Sequence, residues 1–259
     1  MRKGILLAFA AAIALMGAGC TGNVGVNTNP TTTPYSAAQG KVIISITDAA
    51  AQMNGITSVQ LTVDKIEMHS ATQGWITVSN ESKTFDLLAL KAKSALALAA
   101  HTNVAQDTYN QIRLHVTKVL VVKSTSTVEA KLPSNNLEVN GKFTVVSGTT
   151  NSVKVDFVVD ESLHITGKGK YIFSPVLKIE SRTNANATIT TDDMVTLTGG
   201  NVESNIEVGM DVNGTMRDNF KLKTDEKLEI NADNTIKLLM STSNLKIKAD
   251  TGAKVEVGI

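Results

Sequence analysis

Short runs in which apolar and polar residues alternate, broken by turn residues at intervals of about ten, constrain this chain more than any other feature. Residues 58–69 read SVQLTVDKIEMH, with Val59, Leu61 and Val63 at a spacing of two. That is the repeat of a strand with one buried face. Ile66 and Met68 then fall on the opposite parity, so an extra residue near Asp64-Lys65 is needed to restore the phase, which predicts a β-bulge. KVIISIT (41–47) is an apolar strand, GWITVS (74–79) follows a turn through Gln73-Gly74, and QIRLHVTKVLVV (111–122) and VKVDFVV (153–159) alternate. They place Ile112, Leu114 and Val116, and then Val153, Val155, Phe157 and Val159, on inward faces. KYIFSPVLKIE (170–180) is a further strand in which Pro175 favours an edge or a bulge.

One stretch breaks the pattern. FDLLALKAKSALALAAH (85–101) is rich in Ala and Leu and predicts a short helix or helical loop starting near Asp86. From about residue 183 the strands become short and poor in large apolar residues: FKLK, KLEIN, TIKLLMS, LKIKA and KVEVGI. The fold class expected is mainly β. It is an antiparallel β-sandwich over 39–182 with one short helical segment, followed by a C-terminal β-meander of hairpins over 183–259.

The N-terminus points to export. Met1-Arg2-Lys3 precedes GILLAFAAAIALMGAG (4–19), which carries no charge, and Cys20 follows as the single cysteine of 259 residues. A basic head, a short apolar body and a small-residue exit make a secretory signal over 1–19. Small residues directly before Cys20 resemble the lipobox of bacterial lipoproteins, which implies a lipid on Cys20 and a membrane as partner. Gly17 stands where that motif usually carries Leu. Plain cleavage near Gly19 and retention of the leader as an anchor are the other readings. TGNVGVNTNPTTTPYSAA, within 20–38, is a polar tether without periodicity.

A net charge of +1 argues against a nucleic-acid partner, and with 4% aromatic residues stacking platforms are scarce. No cofactor motif is present, and no catalytic spacing of the Gly-x-Ser-x-Gly or His-Glu-x-x-His kind. Cation candidates are Asp48 at the end of a strand, Glu67 and His69 two apart on one strand face, and Asp156, Asp160 and Glu161 near a strand end. Each has a plainer reading: Asp48 caps a turn, and the others are solvated polar residues. Arg113 and His115 read as an exposed polar face, and GKGKY (167–171) as a hairpin turn. Asn80, Asn186 and Asn213 begin Asn-x-Ser/Thr sequons.

Seven blocks occur in order: GKVIISITDAA, TVDKIEMHSATQGWITVS, TFDLLAL, YNQIRLHV, KLPSN, VKVDFVVDES and YIFSPVLKIES. Together they resemble the domain of unknown function 4382 family, found on exported bacterial and archaeal proteins that are often lipoproteins. The likeness spans about residues 40–181. It implies a β-sandwich at the cell surface and carries over no catalytic residue. The function expected is a non-enzymatic module, held in the cell envelope by lipid, that binds a protein or polysaccharide partner. Two alternatives remain open. One is self-assembly through the strand KVEVGI (254–259), and the other is a metal-dependent hydrolase built on Asp48, Glu67, His69 or Asp160.

Overall fold

The computed structural model describes residues 38–48, 53–223 and 226–239. The chain begins with β1 (Gln39–Asp48), β2 (Ser58–Ser70), β3 (Gly74–Ser79) and β4 (Lys83–Asp86), then α1 (Leu87–Lys93). It continues through β5 (Leu96–Ala105), β6 (Asp107–Val122), β7 (Thr127–Glu129), β8 (Asn136–Val145) and β9 (Thr150–Phe157) to α2 (Val159–Ser162). Next come β10 (Leu163–Ile165), β11 (Tyr171–Phe173), β12 (Val176–Thr183), β13 (Asn186–Ile189) and β14 (Met194–Thr198). The last strands are β15 (Asn201–Met210), β16 (Met216–Asp218), β17 (Leu228–Ile230) and β18 (Ile236–Leu238).

Two sheets carry the fold. The larger has eight strands in the order β13-β14-β5-β1-β9-β12-β15-β16. β1 and β9 run parallel, and the other neighbours in this sheet are antiparallel. The smaller follows β3-β2-β6-β7, with β4 also on β2 and β8 also on β6. Inward side chains from both sheets merge into one core. Val42, Ile44 and Ile46 of β1, Val153, Val155 and Phe157 of β9, and Leu177 and Ile179 of β12 share it with β2, β6 and β8.

The phase shift in β2 is real, and β6 mirrors it. Thr62 pairs with Lys118, Val63 with Val116 and Lys65 with His115, so Asp64 and Thr117 each lie outside the ladder. The two bulges on facing strands cancel. Val59 and Leu61 meet Val121 and Val119, and Ile66 and Met68 meet Leu114 and Ile112, all facing the core.

Three expectations need correction. The helix is shorter than its Ala- and Leu-rich stretch: Asp86 caps it by accepting from the Ala89 N–H, and Ser94, with φ 50°, ends it. Leu96–Ala105 is then a strand, because a ladder to β1 satisfies its backbone while Ala97 and Ala99 fill the core. Local helix propensity is weaker than that tertiary pairing. Val159 is buried as expected, but in α2 rather than on a strand face. Pro175 sits in neither an edge strand nor a bulge. It stands just before β12, an interior strand between β9 and β15, where a missing N–H costs no ladder bond.

The boundary drawn at 182/183 falls inside β12, and the eight-stranded sheet runs across it. β15 pairs with β12, and β14 with β5. The hairpin β13–β14 adds a small second core, where Val195 meets Ile43 and Leu98. The hairpin β17–β18 packs through Leu228 on Leu222 and Ile172 of β11. The segments LKIKA and KVEVGI lie outside the described residues.

His164, opposite Ile172 in the β10–β11 hairpin, is 4% exposed, and among the described residues neither ring nitrogen has a hydrogen-bond partner. Burial holds its imidazole below the ordinary value of 6.5. The unfolded chain takes up a proton near 6.5 while the folded chain does not. Stability should therefore fall as pH drops below about 6.5, down to the depressed folded value. His164→Leu should flatten that part of the profile, as read by urea unfolding between pH 7.5 and 5. Phe157→Ala, which empties a fully buried ring site at the centre of the core, should cost about 3–5 kcal/mol in the same assay at pH 7.

Candidate functional site: the outer face of the smaller sheet

Because side chains alternate, the inward set of β2, β6 and β8 dictates which residues face out. Register aligns them into rows. Trp75, His69, Gln111 and Asn140 form one. Thr77, Glu67, Arg113 and Glu138 form the next. Lys65, His115 and Asn136 form a third. Neighbours stand about 4.8 Å apart across strands and about 6.8 Å apart along them.

Arg113 is the hub. Its Nε and Nη2 donate to Glu67 Oε2 at 3.0 and 2.8 Å, and Nη1 lies 3.6 Å from Glu138 Oε2. Its guanidinium sits 3.9 Å from the centre of the Trp75 ring, within cation–π range. Lys65 Nζ reaches the other Glu67 oxygen at 2.6 Å. Burial by itself pushes the Glu67 carboxyl up, but hydrogen bonds and charge from Lys65 and Arg113 outweigh it and hold the group below its ordinary range. The Asp64 bulge aims its carboxylate at His115 Nδ1, 2.6 Å away. Gln111 Nε2 donates to Asn140 Oδ1 at 2.8 Å.

Glu67 and His69 share this face, as their spacing predicted, but they turn to different partners. His69 Nδ1 lies 3.0 Å from Asn110 Oδ1, and its ring lies 5.1 Å from that of Trp75. Asp48 is buried, and its Oδ1 accepts from the Val159 N–H at 3.3 Å, at the start of α2. It therefore caps a turn distant in sequence, supplied by another strand end. Glu161 accepts from Lys221 Nζ at 2.7 Å on the surface, and Asp160 is its neighbour in α2. Among the described residues no three His, Cys, Asp or Glu side chains converge on a point where a metal ion would sit. GKGKY forms the β10–β11 turn, with Gly169 at φ 74°. Asn80, Asn186 and Asn213 are all exposed. Cys20 lies outside the described residues.

From the sequence alone Arg113 and His115 read as an exposed polar face, and NLEVN (136–140) does not stand out as a strand. The available signal was a shared parity. Lys65-Glu67-His69, Gln111-Arg113-His115 and Asn136-Glu138-Asn140 are polar at every second position. Beside the last run a cleft of about 310 Å³ opens between β8 and the β15–β16 turn, lined by Ser134, Asn136, Glu138, Asn140, Gly214, Thr215 and Met216.

The architecture and this face define a two-sheet β-sandwich with a pre-ordered polar surface on the smaller sheet. The family model described as domain of unknown function (DUF4382) matches residues 39–175, just over half of the chain, and the chain belongs to that family. No curated protein and no solved structure matches it. The matched region ends at Pro175, so β12 and β15, which complete the larger sheet, lie beyond it.

Glu67→Gln should lower stability at pH 7, by about 1–2 kcal/mol, since a charged acceptor is lost from a nearly buried site. The wild-type carboxylate is held below its ordinary value, so its contribution is present above about 4.5 and disappears as pH falls through the folded value. The gap between wild type and variant should therefore close on going from pH 7 to pH 3, as followed by thermal unfolding.

Proposed function

We propose that this chain is an exported, lipid-anchored, non-enzymatic binding module that presents the outer face of its smaller sheet to a partner in the cell envelope. The observation that carries the reading is the row Glu67–Arg113–Glu138, with Arg113 stacked on Trp75, a set of charged groups ordered before any ligand arrives. Groups already ordered lose little further side-chain freedom on binding, which favours recognition. The basic head, the apolar run 4–19, Cys20 and the polar tether to Ala38 support the anchor. A diacylated cysteine holds a protein on a membrane, whereas one chain alone does so weakly.

The test is fractionation of cells expressing the full chain. Wild type should be found in the membrane fraction, with Cys20 acylated by mass spectrometry, and surface protease should reach the domain. Cys20→Ala should lose the lipid and leave the membrane fraction. An unmodified thiol in cytosolic wild-type protein would refute the anchor. For the binding face, the reading fails if Arg113→Ala retains every envelope component that the wild type retains.

A further inference from the structure

We propose that the cleft between β8 and the β15–β16 turn, continuous with the outer face of the smaller sheet, binds a neutral polysaccharide chain. This rests on the reading of that sheet as a binding face and names its ligand class.

Charge is the first argument. Lys65 and Arg113 face Glu67 and Glu138, and these four groups pair among themselves. The face therefore offers no net field to attract a polyanion or a polycation. A nucleic acid would require an excess of Lys and Arg to replace its counterions. An uncharged polymer rich in hydrogen-bonding groups is the match.

The lining is the second argument. Asn136, Glu138 and Asn140 project from alternate positions of β8 and are exposed, and Ser134 and Thr215 line the same cleft. Side-chain amides and carboxylates are planar two-point partners for adjacent hydroxyls, and they are spaced about 6.8 Å apart along the strand. Gln111, by donating to the Asn140 oxygen, leaves the Asn140 NH2 to point at a ligand acceptor. Met216 is the single large apolar side chain of the lining, enough for contact with one sugar ring face. A peptide would want a series of apolar pockets. The exposed large apolar residues among those described, Ile165, Val202 and Leu239, are not part of this cleft or face. A volume of about 310 Å³ is at the lower end of the range for ligand sites and suits a few sugar units of a longer chain.

Trp75 has a supporting part. Its ring is engaged by Arg113 and flanked by His69, so it steadies the guanidinium instead of offering an open stacking surface. That distinguishes the proposed site from one in which a free aromatic ring would carry the affinity.

The experiment is affinity electrophoresis of the purified full-length chain in detergent, through native gels containing a neutral glucan, mannan or galactan, with a polyuronate gel alongside. At least one neutral polymer should retard the protein and the polyuronate should not. Glu138→Ala combined with Asn140→Ala should weaken retardation about tenfold, the effect expected for losing two ligand hydrogen bonds. Both side chains are exposed and outside the core, and circular dichroism checks that the variant is folded. Lys118→Ala, an exposed β6 residue that does not line the cleft, should bind like wild type. Retardation by the polyuronate alone, or equal retardation of the double variant, overturns the proposal. If no neutral polymer retards the protein but an envelope protein is captured and then lost in the same variant, the ligand class is wrong and the binding face survives. If neither polymer nor protein is retained, both readings fall.

Discussion

The long pairing of β2 with β6 is the constraint on which the other parts depend. Each strand changes parity once, at Asp64 and at Thr117, and the two changes face each other. Had only one strand carried the extra residue, half of its apolar side chains would point to solvent, because a shift of one position exchanges the faces. Matched bulges let strands of 13 and 16 residues keep one dry side over their whole length. The bulge also has a local partner: Asp64, pushed out of the ladder, meets His115 on the neighbouring strand.

The outer face inherits its order from that inner one. Once Ile66, Met68, Ile112 and Leu114 are buried, Lys65, Glu67, Gln111, Arg113 and His115 have no direction but outward. They then stand within reach of one another, and ion pairing with Trp75 stacking removes their freedom to wander. Exposed ion pairs contribute little to stability as a rule. Glu67 differs, being nearly buried under Arg113 and Lys65, with its side chain 12% exposed. In the proposed reading the arrangement is a surface prepared for contact, with stability a secondary gain.

The region after Pro175 has a similar dependence. β12 and β15 extend the large sheet beyond the span matched by the family model, and β13–β14 folds against Ile43 and Leu98. β13 and β14 are short and carry few large apolar residues. They add to the β5 edge of the sheet, where the partner strand supplies both hydrogen bonds and a covered face.

The amino-acid sequence by itself determined the β class, the inward faces of β2, β6 and β9, the bulge at Asp64, a helix start near Asp86 and the GKGKY turn. Those follow from periodicity and turn chemistry, which are local. It also made Glu67 and His69 neighbours on one face. Only the tertiary structure decided that Leu96–Ala105 is a strand, that β12 is interior, that Asp48 caps α2, and that Asn136, Glu138 and Asn140 line up beside Arg113. The physical reason is one of range. Alternation says which side of a strand is dry, but which strands lie next to each other, and in what register, is settled by pairings between residues tens of positions apart that no local window contains.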